Sequence, residues 1–140
     1  MSDINLLLNA LENDNNENIF QQTSKEINDI KLKLFNELMI PKENIITLMT
    51  DLKEYLYVDE LPDMKTGSFI KWISLTTPDK IKLTKGAIIC DIIISETGAV
   101  LKCKNFKNSF MFINIDKALV FRKLTNQEKI LISVSNYLNV

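Results

Sequence analysis

The run AIICDIIISETGAVLKCKN, residues 87–105, reads as a β-hairpin before anything else in the chain is considered. Its first arm, Ala87-Ile88-Ile89-Cys90-Asp91-Ile92-Ile93-Ile94-Ser95, is dense in β-branched residues, which suit a pleated, half-buried surface better than a helix. A period of two puts Ile88, Cys90, Ile92 and Ile94 on a wholly apolar face. Ala87, Ile89, Asp91, Ile93 and Ser95 fall on the other. Glu96-Thr97-Gly98 supplies the turn, with a glycine free to take positive φ. In the return arm Leu101 and Cys103 share the inward parity, while Lys102 and Lys104 point out with Val100. A one-residue slip would bury both lysines, so the pairing is well specified.

Outward from the hairpin, residues 68–75 and 110–115 read as further strands, 81–83 as a short edge strand, and 118–121 as a last one. Thr77-Pro78-Asp79-Lys80 is turn chemistry. Five to six short strands at this spacing predict a small antiparallel β barrel or a twisted sheet. Helices flank it. Thr23-Ser24-Lys25-Glu26 is a capping box opening a helix to about Met39, with Ile27, Ile30, Leu34, Phe35 and Leu38 as its apolar stripe. Pro41 ends that helix and begins the next, over 41–57, with Ile45, Leu48, Met49, Leu52 and Leu56 on one side. The short link predicts an αα-hairpin. Residues 3–11 carry Ile4, Leu7, Leu8 and Leu11 at helical spacing, ahead of a polar linker over 13–18. Thr125-Asn126-Gln127-Glu128 is a second capping box, starting a helix to about Leu138 with Ile130, Leu131, Val134 and Leu138 inward. This helix is expected to cover the β region. The fold class is α+β: an acidic helical arm at 1–66, a basic β domain at 67–125, and a capping helix at 126–140.

The chain has 140 residues, enough for one domain with a core. No apolar run approaches the ~18 residues of a membrane span, and the start, Met1-Ser2-Asp3-Ile4, lacks the basic region of a secretory leader. A cytoplasmic setting is therefore expected, with Cys90 and Cys103 as buried, reduced thiols. Histidine is absent, which removes the commonest general base and metal ligand. There is no glycine-rich phosphate loop, and Asp59, Glu60 and Asp63 match no calcium loop and read as a solvated acidic linker. No enzyme, no cofactor and no metal is expected.

Charge is the informative signal. Residues 1–66 are net −7, residues 67–125 net +6 and residues 126–140 neutral. The basic region could hold nucleic acid through Lys71, Lys80, Lys82, Lys102 and Lys104, with Phe69, Trp72, Phe110 or Phe112 as stacking platforms. It could instead meet an acidic surface in a protein assembly, homo-oligomeric or mixed. Or its lysines could merely guard strand edges. The single arginine speaks against nucleic acid, because arginine is the preferred bidentate phosphate and base contact. Protein docking would use the N-terminal helices, through Leu7, Leu8, Leu11, Leu48 and Leu52, or exposed strand edges. The favoured expectation is a non-enzymatic subunit of a larger assembly; the alternative is a sequence-independent nucleic-acid binder.

Ile (19), Lys (16) and Asn (15) dominate, residues with AT-rich codons. The tracts Gly67-Ser68-Phe69-Ile70-Lys71-Trp72-Ile73-Ser74-Leu75, Leu83-Thr84-Lys85-Gly86 and Val120-Phe121-Arg122-Lys123-Leu124-Thr125-Asn126-Gln127-Glu128 resemble a pattern in small uncharacterised proteins of giant (nucleocytoplasmic large) DNA viruses. The resemblance implies a viral origin, a place in the host cytoplasm or virion, and a role in virion structure or gene expression. It assigns no site residue.

Overall fold

The computed structural model describes Leu8, residues 22–76 and residues 80–138. Among the described residues, beside helical Leu8, three helices, α1 (Ser24–Glu37), α2 (Lys42–Asp51) and α3 (Asn126–Leu138), accompany six strands: β1 (Tyr55–Val58), β2 (Phe69–Ser74), β3 (Ala87–Ser95), β4 (Gly98–Lys104), β5 (Phe110–Asn114) and β6 (Ala118–Lys123). The strands make one antiparallel sheet in the order β1-β6-β2-β3-β4-β5, with β1 and β5 at its edges. This is the α+β class that the pattern predicts, as an open sheet and not a barrel.

The hairpin forms as expected, with Ile92 opposite Leu101 and Ser95 opposite Gly98. Its register has one irregularity, between Ile89 and Asp91. This bulge takes up Cys90 and inverts parity. Before it, Ala87 and Ile89 are buried and Ile88 is exposed; after it, Ile92 returns to the side of buried Leu101. The inward assignment of Ile88 and Cys90 is thus corrected, and Cys90 is exposed. Isoleucines at successive positions on both faces hide such a shift.

The core lies against one side of the sheet. Val58, Val120, Ile70, Trp72, Ala87, Ile89, Cys103, Leu101 and Ile113 line it from β1 through β5, and Met64 closes it from the 59–66 segment. Leu61, in a short 3-10 turn (Leu61–Asp63), packs at its margin. Expected edge strand 81–83 reduces to a single bridge, Leu83 with Ile73, beside hydrogen bonds from Thr84 N to Trp72 O and from Trp72 N to Thr84 Oγ1.

The second helix is corrected most. It stops at Asp51, and Tyr55–Val58 pair with β6 instead, Tyr57 opposite Phe121 and Val58 opposite Val120. Tyr-Leu-Tyr-Val is a better strand than helix, and pairing with a waiting strand settles the choice. The boundary at 66 therefore does not hold: Ile40–Lys123 form one compact unit, and Met1–Met39 with Leu124–Val140 another. The charge contrast shrinks accordingly, to 13 basic against 10 acidic residues (net +3) and 4 against 8 (net −4).

In the smaller unit the second capping box forms in full, and the first shows its N-cap bond. Glu26 N donates to Thr23 Oγ1, and Thr125 and Glu128 bond reciprocally through backbone N and side-chain oxygen at 2.9 and 3.1 Å. Helices α1 and α3 meet through Ser24 and Asn136, which exchange two 2.8 Å hydrogen bonds. The buried line of α1 is Ile27, Lys31 and Phe35: of the expected stripe Ile27 and Phe35 are buried and Leu34 half-buried, while Ile30 and Leu38 are exposed. In α3, Leu131, Ile132 and Ser135 are buried, and Leu138 is exposed.

Lys31 is fully buried, and that burial lowers its pKa to about 8. An unfolded lysine keeps its proton to about 10.5, so between the two values the unfolded state binds more protons and unfolding free energy rises with pH. Cys103 acts oppositely, but only above the ordinary thiol value of 9. Urea denaturation is expected to show stability climbing from pH 8 to 9, and a flatter profile for Lys31→Met. A second prediction concerns Gly86, whose φ is +101° and where a Cβ would meet the Phe69 ring at 2.5 Å. Gly86→Ala is expected to lose about 1–3 kcal/mol from backbone conformation alone, with further loss from the overlap, read as a lower denaturation midpoint.

Candidate interaction face

The side of the sheet away from the core divides in two. Across β1, β6 and β2 it is covered: Tyr55, Phe121, Leu119 and Ile73 are buried. Across β3, β4 and β5 it is open. Register aligns its side chains in rows. One row runs Phe69, Ile88, Lys104, Phe110; the next Asp91, Lys102, Phe112; the third Ile93, Val100, Asn114. Phe110 and Phe112 are 53% and 63% exposed, and Ile88 and Ile93 are exposed beside them.

The lysines lie along this surface. Lys102 Nζ sits 4.6 Å from the Phe110 ring centre and Lys104 Nζ 5.7 Å from it, so two cations share one ring. The loop between β4 and β5 adds a third aromatic. Asn105 Oδ1 accepts hydrogen bonds from Lys107 N and Ser109 N, at 2.9 and 3.0 Å, and Asn108 takes φ 59°. That Asx-anchored turn presents Phe106, 78% exposed, with its ring 5.7 Å from that of Phe69. Between Thr97 and Ile115 the chain holds Lys102, Lys104 and Lys107 and no acid.

The residues proposed from sequence fare unequally. Lys102, Lys104, Phe110 and Phe112 come together. Lys71 lies on β2, its Nζ 5.2 Å from the Tyr55 ring, on the covered part of that side. Lys80 and Lys82 are exposed on the 80–86 segment, in no strand of the face. Trp72 is corrected: it is 6% exposed in the core and cannot stack on a ligand. Leu48 and Leu52 are likewise buried, so they are packing residues and not a docking stripe. Leu8 is helical and exposed; Leu7 and Leu11 lie outside the described residues. Arg122 is buried in β6, which takes the single arginine off the surface. Sequence reasoning missed Phe106, Lys107, Ile88 and Ile93. The Phe-Lys pair inside an Asn-flanked turn was a readable signal for the first two; the bulge hid Ile88.

Among the described residues no cluster of three His, Cys, Asp or Glu side chains could hold a metal ion, and no helix is long and apolar enough to cross a membrane. Comparison with protein-family models, curated proteins and solved structures finds no match.

The two thiols are chemically distinct. Cys103 is fully buried, and burial, with Cys90 nearby, pushes its pKa up to about 12. Cys90 is exposed at the bulge. At pH 8 a disulfide reagent is expected to label Cys90 promptly and Cys103 after denaturation alone, as peptide mass mapping would show; equal labelling rates in the native protein would contradict the buried placement.

Proposed function

We propose that this chain is a non-enzymatic interaction protein, a subunit of a larger protein assembly that docks through the open β3–β5 face. The observation behind this reading is the group Ile88, Ile93, Phe106, Phe110 and Phe112, large apolar side chains exposed together on adjoining strands and their loop. Contiguous exposed apolar surface of this kind marks interaction sites, and buried aromatic anchors supply much of the binding energy at such interfaces. Lys102 and Lys104, on the middle strand, run through the patch and Lys107 lies in the adjoining loop, so a partner surface carrying carboxylates complements it. The resemblance to giant-virus proteins agrees with an assembly of viral origin, in a virion or in host cytoplasm.

A second reading has its own observation. Lys102 and Lys104 share the face with Phe110 and Phe112, the pairing of cations and stacking platforms that sequence-independent binding of single-stranded nucleic acid requires. Against it, aliphatic Ile88 and Ile93 occupy the same surface and the single arginine is buried.

The test is affinity capture from cells expressing the protein, with the eluate assayed for both protein and nucleic acid. Ile93→Lys with Phe106→Ser is expected to lose the captured protein about tenfold or more, since truncated anchors cost upward of ~1–2 kcal/mol, while the thermal midpoint stays within a few degrees. Lys102→Glu with Lys104→Glu is expected to weaken capture less. An eluate of nucleic acid alone, lost with the lysine pair and steeply salt-sensitive, would support the second reading and overturn the first.

A further inference from the structure

We infer that β5 is the seam of a homodimer, pairing antiparallel with β5 of a second copy about a two-fold axis at Phe112, so that one sheet runs through both chains. The inference rests on the reading of the β3–β5 region as a protein interface, and it names one partner. Among the described residues strand β5 is the last in the sheet order, so its outer row of backbone N–H and C=O groups meets no neighbouring strand there. Natural edge strands are commonly guarded by lysine, proline or a bulge. Phe110-Met111-Phe112-Ile113-Asn114 has none of these, and its pairing with β4 is regular over all five residues.

Met111 shows what the edge lacks. It lies opposite Cys103 and so faces the core side, yet Cys103 is fully buried and Met111 is 36% exposed. Met111 thus stands partly open on an edge where Ile113, of the same parity, is already buried. The strand also fits itself. Antiparallel partners must share parity, so the symmetry axis falls on a residue. With the axis at Phe112, all five residues pair: Phe112 opposes Phe112, Phe110 opposes Asn114, and Met111 opposes Ile113. Moving the axis to Met111 or Ile113 leaves two of the five unpaired. In the full register Met111 and Ile113 continue the core across the seam, and the two Phe112 rings form an aromatic cross-strand pair on the outer side.

Charge does not oppose this pairing. Strand β5 carries none. Lys102 sits one strand back, opposite Phe112, so its counterpart lies three strand spacings away, about 14 Å. That exceeds the Debye length of about 8 Å at physiological ionic strength.

Light scattering over a concentration series, on the full chain, reads the outcome directly. The mass is expected to rise from 16.1 kDa toward twice that value, and Phe112→Lys, which places like charges on the axis, is expected to abolish the rise. A wild-type chain still at the monomer mass at about 1 mM, the Kd of even a weak pair, overturns the inference. The register is tested in a Cys90→Ser background. Phe112→Cys sets thiols directly opposite, within disulfide reach. Phe110→Cys sets them four residues apart along the strand, roughly 13 Å, beyond it. Fast oxidation to a reducible dimer for Phe112→Cys alone is expected; equal rates for both overturn the pairing. Loss of the dimer with partner capture by the Ile93 and Phe106 patch intact would sink this inference and leave the proposed function standing.

Discussion

The cross-strand pairing of β3 with β4 is the constraint on which the rest of the sheet depends. It holds Leu101 and Cys103 in the core and keeps Lys102 and Lys104 out of it. A register one residue away would send two ammonium groups into an apolar interior, at a cost no hairpin turn could offset. The same pairing fixes both faces. β5 copies its parity from β4, so Phe110 and Phe112 are outward because Lys104 and Lys102 are. The open face, its cations and its edge all follow from one alternation in residues 101–104.

The bulge at Cys90 lets β3 serve both ends of the sheet. Before it, Ala87 and Ile89 supply the core near β2; after it, Ile92 supplies the core beside Leu101. Without the extra residue one of these sets would face solvent. Bulges cost some ladder hydrogen bonding, and here the cost secures continuous burial across β2, β3 and β4.

Much of the fold was legible. Period-two patterns located β2, β3, β4 and β5 within a residue or two, and both capping boxes marked true helix starts. Local signals sufficed because those elements are locally encoded. What failed was tertiary. Tyr55-Leu56-Tyr57-Val58 continued an apolar helical stripe on paper, yet β6, some sixty residues later, offered it a partner. Lys31 was invisible as a core residue because composition says that lysines face water, whereas its place between Ile27 and Phe35 buries it. The candidate face was half legible: the outward lysines followed from parity, and Phe110 and Phe112 were named as platforms. Trp72, Leu48 and Leu52 went wrong for one reason, that a large apolar side chain gives no sign in sequence of whether it faces the interior or a partner.

The strand order has a consequence for the order of assembly during synthesis. β3, β4 and β5 pair with sequence neighbours and can zip as soon as each turn emerges. β2 can join β3 through Phe69 and Ile70, but its longer pairing, and all of β1's, is with β6 and must wait until residue 123 has left the ribosome. Until then Tyr55, Val58, Trp72 and Ile73 are apolar strand residues without their β6 partners. Non-local closure of this kind is slow and leaves sticky intermediates. The nascent chain is therefore at its most aggregation-prone late in translation, when the hairpins are complete and the sheet is still split between them.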